Sequence, residues 1–333
     1  MTTIFDKIFY NVDYNKIAIV IDSKNISYGQ LLNDTISVIN YLNNFKKNKK
    51  IATFLENSYL QILIFLACSK LSKVLFPIEN NISEDNYKKI INFYKFDICI
   101  FDINDKKLKI KINNNCIKLN AKKIQNIIFQ NNSVKKIKIE ENKNLNRNDY
   151  LVLFSSGTTG KPKAILLSQK NKYERSIYAG KLYKFNRNEC VILNYSLNHS
   201  VGQRLLFMGL IHSGKVIVMS NHNPYKWYKL SKMYNVSFSI VVSFHIKQFL
   251  KLKLKLNSLN KLKNLVSVSD VLEDNIRKKL LKYNFNFHEI YGTAEISTIT
   301  NIKHRKNSKN KSVGKILNYG KIKILNDKFK VIK

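Results

Sequence analysis

The chain has 333 residues, and its 58 Lys and Arg against 22 Asp and Glu give a formal net charge of +36. This length can bury a large core, and the longest near-apolar run, Ile62–Cys68, is far too short to span a bilayer. The positive charge by itself suggests nucleic acid or an anionic membrane as a partner. However, Lys, Asn, Ile, Phe and Tyr abound throughout, with only 10 Gly and 3 Pro. AT-rich codons produce that bias, so we expect no nucleic-acid partner.

The four cysteines predict no metal site. Cys68, Cys99, Cys116 and Cys190 form no CxxC pair and have no nearby histidine at zinc-ligand spacing. Most lie in apolar runs, which is typical of buried free thiols in a reducing compartment. Because the N-terminus also lacks a signal-peptide pattern, we expect a cytoplasmic protein.

Hydrophobic spacing in the first third of the chain predicts alternating strands and helices. Ser27 and Gln30 match a capping box ahead of an apolar helix. This βαβαβ order implies a parallel sheet with helices on its faces. The strands are predicted at Ile51–Leu55, Val74–Ile78 and Ile98–Phe101, and the helices at Ser58–Leu71 and after Ser83.

Residues 103–148 carry little pattern, and the alternation resumes after them, which indicates a second α/β unit. The basic stretch Lys251–Leu256 is predicted to be a helix end or a loop. Predicted strands are Val191–Asn194, Val216–Met219, Phe238–Val242, Leu265–Val268 and Phe285–Ile290. Predicted helices include Gln169–Leu182, Asn223–Tyr234 and Val271–Tyr283.

A loop of glycines and hydroxylated residues lies between two apolar runs. Backbone N–H groups, hydroxyls and a lysine ammonium together form a cradle that can hold phosphate. Two residues separate its glycines, whereas a Walker loop has four between them. Pro162 follows its lysine where a Walker loop has Ser or Thr, so it is not a Walker loop. A surface hairpin turn is the alternative interpretation. The loop consists of Ser155, Ser156, Gly157, Thr158, Thr159, Gly160 and Lys161, and Lys163 follows.

The run SSGTTGKPK resembles the phosphate loop of the adenylate-forming superfamily, which includes acyl-CoA synthetases, luciferases and peptide-synthetase adenylation domains. The resemblance implies that Ser155–Lys163 grips the β- and γ-phosphates of ATP. A carboxylate would then attack the α-phosphate, giving an acyl-adenylate and pyrophosphate. The resemblance therefore implies an acid–thiol ligase.

A glycine after a strand allows a tight turn, and Gly292 follows the predicted strand Phe285–Ile290. The segment Tyr291-Gly292-Thr293-Ala294-Glu295 is similar to the second signature of the superfamily. By that resemblance Tyr291 would stack on adenine, Gly292 and Thr293 would contribute to the nucleotide site, and Glu295 would coordinate Mg²⁺. The family usually has Thr where Ala294 stands, so one hydroxyl near the α-phosphate is missing. Losing a hydrogen bond to a charged group costs about 1.5–3 kcal/mol, which weakens such a site without abolishing it.

His199 begins a third similar segment, His199-Ser200-Val201-Gly202, although a lone histidine is often only structural. In the acyl-CoA synthetase branch a residue here lines the acyl pocket, so His199 joins Lys163 as an expected catalytic residue. Peptide-synthetase domains place an Asp nearby to hold an α-amine, whereas 191–218 contains no acid. This favours a fatty or other amine-free carboxylic acid, with CoA or the phosphopantetheine of an acyl carrier protein as acceptor.

The resemblance covers the whole chain and implies its domain organisation. Residues 1–310 would form a large domain of two interleaved α/β subdomains, about 1–170 and 171–310, with mainly parallel sheets in αβαβα layers. Residues 311–333 would start a small β subdomain. Val266–Asp270 stands where the family usually has a Gly-Gly pair that packs on adenine.

Family members continue through a barrel with a ribose-binding Asp and a C-terminal cap with a catalytic Lys, and this sequence contains neither. We therefore expect residues 1–333 alone to be a poor catalyst, with a separate chain as a possible source of the cap. Two other interpretations stay open at this point. One is a truncated or degenerate relative that binds nucleotide without turnover, and the other is a basic protein that binds nucleic acid or membrane.

Overall fold

The computed structural model describes residues 2–79, 82–102, 116–130, 137–140, 145, 147–155, 163–305, 312–318 and 320–332. These residues form a mixed α/β protein with mostly parallel sheets, which confirms the predicted fold class. The chain divides into two compact units, Met1–Asn223 and Pro224–Lys333. No helix in the described ranges is long and apolar enough to cross a membrane.

The first unit alternates strands and helices. Its strands are β1 (Ile17–Ile21), β2 (Lys24–Ser27), β3 (Lys50–Phe54), β4 (Val74–Pro77), β5 (Ile98–Phe101), β6 (Ile117–Asn120), β7 (Asp149–Ser155), β8 (Lys163–Ser168), β9 (Cys190–Leu193) and β10 (Lys215–Val218). Its helices are α1 (Ile4–Phe9), α2 (Tyr28–Leu42), α3 (Tyr59–Leu71), α4 (Glu84–Tyr94), α5 (Ala121–Gln130), α6 (Gln169–Tyr183) and α7 (Ser200–Ile211).

Six of these strands form one sheet in the order β6-β5-β3-β4-β7-β8, parallel except for the β7–β8 pair. The parallel β5-β3-β4 core confirms the predicted βαβαβ arrangement. The remaining strands pair separately, because β1 is parallel to β10 and antiparallel to β2, and β10 is parallel to β9. Strands close to the N-terminus therefore share a sheet with strands that follow residue 189.

Serine caps explain where several helices begin. Ser58 and Ser83 each accept a hydrogen bond from the backbone N–H three residues on, as their positions ahead of apolar helices predicted. Ser27 caps α2 in the same way. The predicted capping box there is wrong in its second half, because the Gln30 amide donates to Asp34 Oδ1 at 2.7 Å. A charged acceptor one turn along the helix competes successfully for that side chain.

The prediction missed elements whose local pattern is weak. Strand β6 and helix α5 lie inside the segment judged patternless. β6 is an edge strand with a partner on one side only, and only Leu119 of its four residues is buried, so its Lys and Asn disguise it. The four cysteines are free, and three of them are buried as predicted, with Cys116 partly exposed.

The second unit contains β11 (Phe238–Val242), β12 (Asn264–Val268), β13 (Asn286–Thr293), β14 (Ser297–Lys303) and β15 (Lys315–Ile316), with helices α8 (Pro224–Met233), α9 (Ser243–Lys251) and α10 (Asp274–Leu280). Strands β11, β12 and β13 are parallel, whereas β13–β14 and β14–β15 are antiparallel. Helix α9 ends at Lys251, so the basic stretch is a helix end as predicted.

Two boundaries in this unit differ from the prediction. Helix α10 is shorter than Val271–Tyr283, because the Leu272 N–H donates to the Glu289 carboxylate instead of starting a helix. Strand β13 is longer than predicted and runs through Gly292 to Thr293. The expected tight turn at Gly292 is therefore wrong, and the turn lies at residues 294–296. Gly292 has a different structural reason, which is its close approach to β14.

Candidate active site

The predicted phosphate loop joins the two strands of a hairpin. Strands β7 and β8 pair antiparallel up to the facing residues Ser155 and Lys163. β7 is bonded to α3, because the buried Tyr150 hydroxyl donates to the Phe65 carbonyl at 2.8 Å. Lys163 is exposed where the hairpin opens into the loop. Residues 156–162 lie outside the described residues, so the structure shows the base from which the loop starts and ends.

His199 is carried by a loop that two asparagines hold in place. The Asn57 side chain accepts from the Leu197 N–H at 2.7 Å and donates to the Tyr195 carbonyl at 2.8 Å. Asn198 Nδ2 lies 3.4 Å from the Leu55 carbonyl oxygen. These bonds join the loop after β9 to the carboxyl end of β3. The loop is thus fixed by side chains that are distant in sequence.

The turn before α7 leaves room only for glycine at position 202, within the first turn of the helix. A Cβ on Gly202 would lie 2.2 Å from the Ser196 carbonyl oxygen, so no other residue fits without moving the turn. His199 is the N-cap residue of α7, and its side chain makes no capping hydrogen bond. His199 Nε2 is 2.5 Å from Glu79 Oε1, with 57% and 37% of the two side chains exposed.

Glu79 and Asn57 were missed by the sequence analysis, although a signal for them exists. Each follows a parallel strand closely, Asn57 after β3 and Glu79 after β4. The carboxyl ends of parallel strands meet at one edge, where polar side chains gather in α/β proteins. An acid therefore does lie beside His199, supplied from outside 191–218, and it already pairs with the imidazole.

A small polar cleft opens beside this pair. Its volume is about 190 Å³, below the roughly 300–1,000 Å³ typical of ligand pockets. All but one of its lining residues are polar, so this cleft does not by itself hold a long acyl chain. The lining residues are Leu55, Glu56, Asn57, Glu79, Ser196, Asn198, Ser220 and Asn221.

The second signature forms the tip of the β13–β14 hairpin in the second unit. Tyr291 is 51% exposed, and a bulge separates its pairing from that of Gly292. A Cβ on Gly292 would lie only 2.0 Å from the Ser297 carbonyl oxygen, so the two backbones touch here. The Ile296 N–H donates to Thr293 Oγ1 at 3.4 Å across the turn. Glu295 is exposed at that turn.

These features fit a nucleotide and its metal ion. A half-exposed aromatic ring next to bare backbone is a suitable stacking surface for a base. Mg²⁺ is usually held by one or two carboxylates together with substrate phosphates. Glu295 meets that pattern, and within the described ranges no cluster of three or more His, Cys, Asp and Glu forms a metal cage made of protein alone.

The segment Val266–Asp270 retains a glycine-like backbone without glycine. Ser269 follows β12 with a φ of +82°, which lies in the left-handed region that favours glycine. Ser267, two residues earlier, is buried and lies 3.2 Å from Ser243 between their hydroxyl oxygens. The chain thus keeps an unusual backbone shape where its sequence has lost the residue type that adopts it freely.

Ser269→Gly is therefore expected to stabilise the protein by about 1 kcal/mol. The substitution relieves a left-handed conformation that costs a non-glycine residue roughly 1–2 kcal/mol. Part of this gain is offset, because glycine loses more chain entropy on folding. Urea denaturation of the two proteins measures this difference. Ser258→Gly serves as the control, because Ser258 has no positive φ and should lose stability on the same change. Equal destabilisation by both substitutions would contradict the strain at Ser269.

The sequence-predicted residues are thus placed as follows. Ser155 ends β7, Lys163 starts β8, His199 caps α7 beside Glu79, and Tyr291–Glu295 shares one hairpin. The remaining loop residues, Ser156, Gly157, Thr158, Thr159, Gly160 and Lys161, fall outside the described residues.

A sequence model of the family described as "AMP-binding enzyme" matches residues 9–332. The chain belongs to this family. The match includes the β7–β8 loop, the His199 segment and the β13–β14 hairpin, so each similar segment falls inside an AMP-binding enzyme domain. The predicted family is confirmed.

Relatives among AMP-binding enzymes are distant. The "Putative long chain fatty acid-CoA ligase VraA" of Staphylococcus aureus (strain COL) is 23% identical over 86% of this chain and 57% of that protein. The "2-succinylbenzoate--CoA ligase" of Bacillus thuringiensis subsp. konkukian is 21% identical over 69% of this chain and 45% of that protein. The chain therefore spans about half the length of these curated relatives.

A solved structure supports the fold. The Klebsiella oxytoca NpsA N-terminal subdomain, in complex with 3-hydroxybenzoyl-AMSN, superposes with a TM-score of 0.81 at 15% identity. The superposition covers 100% of this chain and 85% of that one. At this identity the likeness establishes the fold of an adenylate-forming N-terminal domain.

Proposed function

We propose that this chain activates a carboxylic acid with ATP, forming an acyl-adenylate as part of an acyl-CoA synthetase-like ligase. The observation that carries the proposal is the family match over residues 9–332, which contains both superfamily signatures. The relatives named as acid–CoA ligases support the same reaction class.

In this proposal the phosphates of ATP are held by Ser155–Lys163. The exposed Lys163 ammonium at the base of the hairpin supplies positive charge, and the loop supplies hydroxyl and backbone N–H donors. Tyr291 stacks on adenine, with Gly292 and Thr293 beside it. The absence of a Cβ at Gly292 keeps β14 tight against β13, which fixes the direction of the Tyr291 ring.

Glu295 would hold Mg²⁺, which when bound neutralises phosphate charge. The role of Lys163 and His199 is to act around the reacting carboxylate and α-phosphate. Lys163 offsets negative charge, and His199, held by the Asn57-anchored loop and by Glu79, lines the acid site. Holding the acid in line with phosphorus and stabilising the charge that develops are the main contributions expected of such a site.

The proposed substrate is an amine-free acid, either fatty or aryl. Glu79 pairs with the His199 imidazole, so this carboxylate is already engaged, and Glu56 is a second acid that lines the cleft beside them. The proposal rests on the absence of an acid between residues 191 and 218. The acceptor is CoA or the phosphopantetheine of an acyl carrier protein. The expected site of action is the cytoplasm.

Acid-dependent exchange of labelled pyrophosphate into ATP tests this function. A panel of fatty acids, benzoates and α-amino acids is compared at fixed Mg·ATP. We expect exchange with fatty or aryl acids and none with amino acids. Exchange driven by amino acids alone would contradict the substrate class.

The same assay separates the remaining interpretations. ATP binding without exchange for any acid would favour a nucleotide-binding relative that lacks turnover. Salt provides a further distinction, because binding through many phosphate contacts falls steeply with salt. A basic nucleic-acid-binding protein would therefore show steep salt dependence and no requirement for Mg²⁺.

A further inference from the structure

A largely buried carboxylate lies on β13, the strand that carries Tyr291. Glu289 is two residues before Tyr291 on β13, and 12% of its side chain is exposed. It belongs to neither superfamily signature, and the proposed function gives it no role. Its surroundings are nevertheless more elaborate than those of other acids in this unit.

Three parts of the second unit converge on this carboxylate. Arg277 Nε of α10 donates to Glu289 Oε2 at 2.6 Å, and the Leu272 N–H before α10 donates to Oε1 at 3.0 Å. His304, which follows β14, places Nε2 2.6 Å from Oε2. Arg277 Nη1 also donates to Asp274 Oδ1 at 2.6 Å. One side chain on β13 is thus tied to α10, to the segment before it and to the end of β14.

These contacts are shielded from water. The exposed fractions of the Arg277 and His304 side chains are 11% and 2%. The His304 ring also stacks on Phe287, with centroids 5.4 Å apart. Burial raises the pKa of Glu289, but the close His304 ring, the Arg277 guanidinium and the Leu272 backbone N–H outweigh it and lower that pKa to about 2. The carboxylate is therefore charged and fully engaged at neutral pH.

The network lies where it can set the geometry of the hairpin. Glu289 faces Ile302 across the β13–β14 pair, and Tyr291 faces Thr300 two pairs nearer the tip. The bulge follows directly after Tyr291, so the ladder beyond it has fewer regular bonds. A fixed base below the bulge therefore determines the direction in which the tip points.

We propose that Glu289, clamped by Arg277, Leu272 and His304, is the positioning residue that orients Tyr291 and the hairpin tip for adenine. This inference rests on the proposed function for the role of Tyr291. The clamp acts through the backbone of β13 and touches no nucleotide. Its loss should loosen the hairpin and weaken recognition of the base, while binding to the phosphate loop stays unchanged.

The matched control is an ion pair of the same kind without burial. Lys247 Nζ lies 2.8 Å from Glu273 Oε1 in the same unit, with 46% and 58% of the side chains exposed. Exposed pairs contribute little, so Glu273→Gln removes a carboxylate at little cost. Glu289→Gln removes the charge at nearly constant volume, and Arg277→Lys keeps the charge but loses the planar fork.

The experiment combines two measurements on the 333-residue chain. Hydrogen exchange follows the amides of residues 287–303 in wild type, Glu289→Gln, Arg277→Lys and Glu273→Gln. Calorimetry then compares the Kd of Mg·ATP with that of Mg·tripolyphosphate, which has phosphates but no base. For Glu289→Gln we expect hairpin exchange at least about tenfold faster and an ATP Kd about tenfold weaker. The tripolyphosphate Kd should stay unchanged, and Arg277→Lys should be intermediate.

The outcomes separate this inference from the proposed function. A variant that merely folds less well would lose binding stoichiometry for both ligands, with each Kd unchanged, and that result would overturn the inference. Hairpin exchange equal to that of Glu273→Gln would overturn it as well. If the hairpin loosens as expected but wild type binds neither ligand, the clamp still holds the hairpin, whereas its role in adenine recognition falls with the proposed function. Should Glu289→Gln not fold, Arg277→Lys carries the same comparison.

Discussion

Replacing Lys172 with methionine is expected to stabilise the protein by up to about 3 kcal/mol at pH 7. Lys172 lies on α6 with 3% of its surface exposed, and its Nζ donates to Gln203 Oε1 at 2.9 Å. The same atom lies 5.3 Å from the centre of the Phe207 ring. No carboxylate among the described residues pairs with this ammonium. Replacing buried ionic groups with apolar residues is neutral or stabilises by about 1–4 kcal/mol. The substitution also leaves the buried Gln203 Oε1 without this donor, which costs about 1–3 kcal/mol.

The stability gained by Lys172→Met should decrease as the pH rises from 7 to 9. Burial, followed by repulsion from Arg175 and Arg204, holds the pKa of Lys172 well below 10.5. Between its folded and unfolded pKa the unfolded chain binds a proton that the folded chain does not, so wild-type stability rises with pH. The rise ends near the unfolded pKa of about 10.4, and below the folded pKa the full penalty is present. The advantage of Lys172→Met should therefore shrink by up to about 1.4 kcal/mol per pH unit towards pH 9.

Urea denaturation of both proteins at pH 7, 8 and 9 measures this difference. Lys170→Met is the matched control, because Lys170 is on the same helix but 39% exposed, 3.7 Å from Glu174. That control should change stability by less than about 0.5 kcal/mol at every pH. Destabilisation by Lys172→Met, or a gain that does not vary with pH, would show that the buried amine is compensated in the fold.

Gly292→Ala is expected to weaken ATP binding at least about tenfold and to destabilise the protein by about 1–3 kcal/mol, the range for overpacking. The added Cβ would lie 2.0 Å from the Ser297 carbonyl oxygen and 2.9 Å from Thr298 Cα. Both are backbone atoms, so no side chain can rotate away. The strands must separate at the bulge, and Tyr291 turns with them.

Gly320→Ala is the control for this prediction. A Cβ there meets nothing closer than 3.6 Å, which is ordinary contact. Calorimetry with Mg·ATP and urea denaturation are applied to both variants and wild type. The control should keep the wild-type Kd. If Gly292→Ala binds ATP as wild type does, the hairpin tip does not recognise the nucleotide.

Local sequence patterns predicted many of the strands and helices, because these elements depend largely on interactions between residues close in sequence. The strand Phe238–Val242 was placed with its observed bounds, since a short apolar run between polar segments has few other stable conformations. Ser58 and Ser83 marked helix starts because a cap depends only on the next three residues. The phosphate loop stays a prediction, because residues 156–162 lie outside the described residues and the structure shows only that the flanking strands β7 and β8 pair antiparallel.

The missed features depend on distant partners. Glu79 meets His199 only after the sheets form, and Asn57 holds a loop about 140 positions further along the chain. Gly292 was interpreted as a turn residue because sequence shows where glycine is but not which strand passes it. The clamp on Glu289 also depends on partners distant in sequence, because its donors come from α10 and from beyond β14.

ATP binding by site variants tests the central claim most directly. Calorimetry compares wild type, Thr158→Ala, Lys163→Ala and Glu295→Gln, with Lys170→Met as a control for charge. We expect wild type to bind ATP in the presence of Mg²⁺, Thr158→Ala and Lys163→Ala to bind it several-fold more weakly, and Glu295→Gln to lose most of the Mg²⁺ dependence. Equal ATP affinity and equal Mg²⁺ dependence in all of these proteins would contradict the assignment of the nucleotide site.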